Sequence, residues 1–118
     1  MPCPGTGCDA LGITRACTTE ARPGIGVVLM DAATSGPILD GEAVITAIDG
    51  MFRDSIRFTV APGNYNVAMP LAYERDGNYL VQARVTGYLD WAMDDIRVRD
   101  GGCHVETRTL FAHLEPAG

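Results

Sequence analysis

Lysine is absent. All nine basic residues are arginines, and 15 acidic residues outweigh them to give a net charge of −6 over 118 residues. Those arginines (Arg15, Arg22, Arg53, Arg57, Arg75, Arg84, Arg97, Arg99 and Arg108) are scattered along the chain. Binding to nucleic acid or an anionic membrane draws on clustered cations that release counterions, so neither partner is expected. Serine is nearly absent too: Ser35 and Ser55 are the only two, and neither sits in a Gly-x-Ser-x-Gly elbow. Long hydrophobic runs are missing. The longest, Ile25 to Met30, is strand-sized, so no membrane-spanning segment is expected. Pro2, Gly5, Gly7, Asp9 and Gly12 interrupt the start of the chain, so no export signal is visible there. A sustained helical period is also missing.

What is present is a strand alphabet. Apolar residues make up 47% of the chain, enough for a core. Residues 1–20 form a Gly/Pro/Thr-rich lead without periodicity, and residues 21–116 carry the ordered pattern. Ile25–Asp31 is a nearly continuous β-branched strand, and Glu42–Asp49 is a second, closed by the turn pair Asp49-Gly50. Ser55–Val60 alternates, with Ile56, Phe58 and Val60 on the core side. Asn66–Ala72 contains Pro70 and so belongs at a sheet edge. Tyr79, Val81, Ala83 and Val85 alternate with polar neighbours, giving a half-buried antiparallel strand. A loop centred on Trp91 leads to Ile96–Arg99.

The last segment changes phase. Cys103, Val105 and Thr107 share one parity, and Leu110, Ala112 and Leu114 the other. One flat strand cannot turn both sets inward, so a bulge or bend is expected between Thr107 and Thr109. Seven or so strands with turns at intervals of about ten residues indicate a single all-β domain, an antiparallel seven-stranded Greek-key β-sandwich of the immunoglobulin-like or transthyretin-like kind.

Four cysteines, Cys3, Cys8, Cys17 and Cys103, allow three pairings. A Cys17–Cys103 bond would join the chain ahead of the first strand to the start of the last. Closing so long a loop stabilises by roughly 4 to 5 kcal/mol in the chain-entropy picture. Cys3 and Cys8 would then pair locally, stay reduced or pair between molecules. Four thiols in a reducing compartment is the alternative.

Gly77-Asn-Tyr79-Leu-Val81-Gln-Ala83-Arg-Val-Thr-Gly87-Tyr88 resembles the G-x-Y-x-V-x-A-x-x-x-G-Y strand and turn of carboxypeptidase regulatory-like domains, in the transthyretin-like, or prealbumin-like, group of sandwiches. Val27–Ile38, with Asp31, Thr34, Gly36 and Pro37, is similar to that group's opening strand and D-x-x-T-G-x-P turn. Cys103-His-Val105 followed by Leu110 and Leu114 resembles the final strand of bacterial envelope members. The resemblance spans about residues 17 to 116 and implies a non-enzymatic accessory domain of the envelope or a secreted protein. It also implies a Cys17–Cys103 disulfide. The group's hydroxyisourate hydrolase branch ends in Tyr-Arg-Gly-Ser and uses an early histidine. This chain ends Leu114-Glu-Pro-Ala-Gly118 and has no histidine before His104, so that activity is excluded.

No catalytic constellation, metal site or cofactor is expected. His104 and His113 lie nine residues apart, about 30 Å along a straight strand, and out of phase with their apolar neighbours, so both should face solvent. The candidate binding residues are Tyr88 and Trp91, aromatics flanking a turn, with Asp90, Asp94 and Asp95 beside them and Asp100 beyond. They suggest a glycan or protein contact, or oxygen ligands for calcium. Tyr88 capping the sandwich end with its hydroxyl on backbone, and Trp91 plugging the core edge, is the competing structural role.

Overall fold

The computed structural model describes residues 19–118. Cys3, Cys8, Cys17 and most of the 1–20 lead lie outside the described residues, and so does the proposed Cys17–Cys103 pairing. The strands are β1 (Pro23–Asp31), β2 (Glu42–Asp49), β3 (Phe52–Thr59), β4 (Met69–Tyr73), β5 (Gly77–Val85), β6 (Trp91–Asp100), β7 (Val105–Glu106) and β8 (Arg108–Leu114). Two sheets form, in the orders β4-β1-β8 and β3-β2-β5-β6-β7. The chain is an all-β, two-sheet sandwich.

The core is built by alternation. Tyr79, Val81, Ala83 and Val85 of β5 are all buried, as are Ala43, Ile45 and Ala47 opposite them on β2. Ile25, Val27 and Leu29 of β1 and Leu110, Ala112 and Leu114 of β8 close over them from the smaller sheet. β1 is buried along most of its length because strands flank it on both sides. Pro70 lies on β4, at an edge, as its missing N–H requires. Gly77 opens β5 with φ 154°, and a Cβ there would collide with the Asp49 carboxylate.

The phase change at the end of the chain has a simple cause. The chain leaves one sheet for the other at Thr107: β7 pairs with β6, and β8 pairs with β1. Thr107 Oγ1 donates to the Pro23 carbonyl at 2.6 Å, fixing the crossing point. Val105 faces inward from one layer and Leu110 from the other, so parity must reverse.

Three expectations are corrected. The described strands number eight, because the final one divides. Pairing is not antiparallel throughout, since β1 and β8 run parallel from Ile25–Arg108 to Asp31–Leu114. Trp91 does not centre a loop but begins β6, opposite Ala83.

Candidate functional site

Tyr88 and Asp31 clamp one end of the sandwich. The Tyr88 hydroxyl donates to Asp31 Oδ2 at 2.6 Å, joining the turn after β5 to the end of β1 in the other sheet. Asp31 Oδ1 accepts from the Ala33 and Thr34 amides, shaping the turn after β1. The phenol's bond to the carboxylate, with burial, pushes the Tyr88 pKa up to about 12, and that same bond holds Asp31 below the usual carboxylate range. Tyr88 therefore takes the structural role, with its hydroxyl on a carboxylate rather than on backbone. The segment after β8 is tied to the same turn: Leu89 N donates to Glu115 O, and Ala117 N to Gly87 O.

The aspartates do not converge. Asp90 is exposed and ion-paired with Arg84 at 3.3 Å. Asp94 and Asp95 occupy a bulge on β6, where the register against β5 slips between Tyr79 and Val81. Asp95 has φ 57° and accepts from Asn78 Nδ2, and its own amide donates to Asp94 Oδ1. Asp94 lies four residue steps along the extended chain from Asp90, roughly 13 Å. Among the described residues no group of three or more His, Cys, Asp or Glu is placed to hold a metal ion. Among the described residues, Asp90, Asp94 and Asp95 are not gathered as a calcium ligand set. Trp91 is half-buried and borders a cavity of about 280 Å³ with Gln82, Arg84, Asp90 and Ala92.

His104 does not face solvent as expected. Its side chain is 11% exposed, and its Nδ1 hydrogen-bonds Glu74 Oε2. The parity argument fails because residues 101–104 form a turn, closed by Gly101 N donating to His104 O. Glu74 gathers three segments: Oε1 accepts from Val105 N at 3.1 Å, and Oε2 from Arg22 N at 3.1 Å as well as meeting His104. The His104 bond is the main reason its carboxyl sits below the usual range. His113 is exposed, as expected.

Arg75 makes a second structural knot. Its Nη1 donates to Asp49 Oδ2 at 2.9 Å and to Tyr79 Oη at 3.1 Å, with the guanidinium 4.0 Å from the centre of the Phe52 ring.

The arginines, scattered in sequence, are partly collected by the fold. Arg97 and Arg99 of β6 and Arg108 of β8 line a cleft of about 410 Å³ with Glu106 and Thr107. Arg108 Nη1 donates to the Arg97 carbonyl across the two sheets at 3.1 Å. None of the three guanidiniums has a carboxylate within ion-pair distance among the described residues. Sequence reasoning missed this cleft. The β6 pair Arg97-x-Arg99 was visible, but Arg108 joins it only through the sheet switch. No helix among the described residues is long and apolar enough to cross a membrane.

The chain matches no family model, no curated protein and no solved structure.

Proposed function

We propose that the chain is a non-enzymatic accessory sandwich of the carboxypeptidase regulatory-like, transthyretin-like kind, working outside the cytoplasm by binding or structural support. In this reading β7 and β8 are one final strand that changes sheets, which gives seven strands in a Greek-key order. One contrast carries the proposal. The polar groups with shifted pKa values are spent on structural bonds: Tyr88 on Asp31, Glu74 on His104 and Arg75 on Asp49 and Tyr79. The surface also presents exposed apolar side chains, Leu39, Met51, Leu89 and Phe111 among them, and the arginines of the β6–β8 cleft, which suit contact. Mass mapping of the untreated protein under non-reducing conditions tests the compartment. A Cys17–Cys103 peptide is expected, and free thiols at both positions would remove the extracytoplasmic argument.

The cavity lined by Gln82, Arg84, Asp90, Trp91 and Ala92 favours a second reading, a carbohydrate contact at the Trp91 end of β6. A glycan array with Trp91→Ala as control checks it. Equal signals from both proteins would end it.

A further inference from the structure

Among the described residues, one flank of the sandwich is not covered. Cross-strand partners share a face, so Trp91 and Met93, opposite Ala83 and Val81, turn to the core side of the larger sheet. Ala83 and Val81 are fully buried, yet Met93 is 41% exposed. The smaller sheet ends at β8, and no described strand pairs beyond it.

Among the described residues β8 is also a long edge without a guard; the other, β6 ahead of its two-residue pairing with β7, is broken by the Asp94–Asp95 bulge. β4 is five residues long and carries Pro70. β7 has two residues. β3 carries Arg53, Arg57 and the core-side carboxylate of Asp54. Such devices block strand addition. β8 shows instead Phe111, 57% exposed, on its outer face. Its hydrogen-bonding direction follows from its ends. Leu114 O accepts from Ala32 N beside β1, and Glu115 O from Leu89 N on the far side. By alternation Thr109, Phe111 and His113 point their backbone N–H and C=O to the open edge. At the start of that edge lie the guanidiniums of Arg97, Arg99 and Arg108, with no carboxylate in ion-pair range.

We propose that the open edge of β8 is a docking lane for an extended, acidic peptide segment of a partner protein, added as a strand. Main-chain bonds to Thr109, Phe111 and His113 supply affinity. Side chains of the incoming strand cover Met93 and Trp91, and its acidic end enters the Arg97–Arg99–Arg108 cleft. A lone strand suits this edge better than a second copy. A copy would bring six further net negative charges and its own 87–89 segment against the same lane. The inference names the partner of the accessory reading and rests on it.

Fluorescence anisotropy with two labelled peptides tests it. Both have an alternating Val/Thr body of about ten residues, one with a glutamate run at one end and the other with a lysine run. The acidic peptide should bind, more weakly as salt rises, and the basic one should not. R97Q/R99Q/R108Q should weaken binding at least about tenfold. Phe111→Pro removes an outward N–H without touching the β1 ladder and should abolish binding with the thermal melt little changed. His113→Pro serves if that variant folds poorly. In the wild type, hydrogen exchange of the 109, 111 and 113 amides should slow on peptide addition. Equal binding of both peptides, full binding by a folded edge-proline variant, or self-association by sedimentation without peptide binding would each overturn the proposal. Failure here with the Cys17–Cys103 peptide present overturns the lane alone; free thiols with peptide binding intact overturn only the compartment.

Discussion

The two flanks of the sandwich solve the same problem in opposite ways. On the β3–β4 flank, Asp54 of the larger sheet accepts the amide of Ala72, a buried residue of the smaller one, at 2.8 Å, and Phe52, Ile56 and Phe58 pack against the core. A polar bond is spent to shut that side. On the β6–β8 flank, Arg108 reaches the Arg97 carbonyl at one end and Leu89 meets Glu115 at the other, while Met93 and Phe111 between them stay exposed. Among the described residues the ends are tied and the middle is open. The closed flank belongs to stability, and the open one is where a contact can be added at little cost to the fold.

That difference can be broken experimentally, starting at the shared core. Ile45→Ala, at a fully buried site facing both sheets, should cost about 2–5 kcal/mol in urea unfolding. A loss well under about 1 kcal/mol would mean that the two layers do not close over β2. Asp54→Ala comes next. It leaves the buried Ala72 amide without its acceptor and should cost about 1–3 kcal/mol, read as a shift of the urea midpoint with the slope unchanged. A neutral result would show that the closed flank is held by its apolar contacts alone.

The Tyr88–Asp31 clamp predicts a pH signature. The folded pKa of Asp31 is depressed, so its contribution is present above the unfolded carboxylate value and fades as pH falls through the folded one. The folded pKa of Tyr88 is raised, so its contribution is complete below the unfolded value of 10.0 and is lost as pH rises toward about 12. Tyr88→Phe should lower the melting temperature modestly at neutral pH. It should also flatten the fall in stability above pH 10.0 relative to wild type. Superimposable alkaline limbs for the two proteins would show that the clamp contributes nothing. The smallest effect is expected on the open flank. Met93→Lys should move stability by no more than about 0.5 kcal/mol, because the side chain is already partly in water. A large loss would mean that Met93 belongs to the core after all.

The local signals in the sequence were legible where burial is one-sided. Tyr79 to Val85 alternates because one face is core, and the structure buries those four residues. Pro70 marked an edge because it lacks a donor. The phase slip between Thr107 and Thr109 was visible because apolar parity is a record of which layer a residue faces. His104 was misjudged by the same rule: parity applies to a strand, and Gly101 and Gly102 put His104 in a turn where Glu74 captures it. The aspartates near Trp91 looked like a cluster only because they are close in sequence. The extended start of β6 separates Asp90 from Asp94, and the bulge turns Asp95 to Asn78.

By itself, then, the sequence determined the one-sidedly buried strands such as β5, their inward faces and the point where the last strand breaks, since each follows from the period-two pattern of apolar side chains. Only the tertiary structure decided that β1 and β8 run parallel, that Asp54 seals one flank, and that Arg97, Arg99 and Arg108 share a cleft beside an unguarded edge. Those facts depend on which strands become neighbours. Neighbourhood is set by closing two layers over one core, a long-range condition that no local pattern contains.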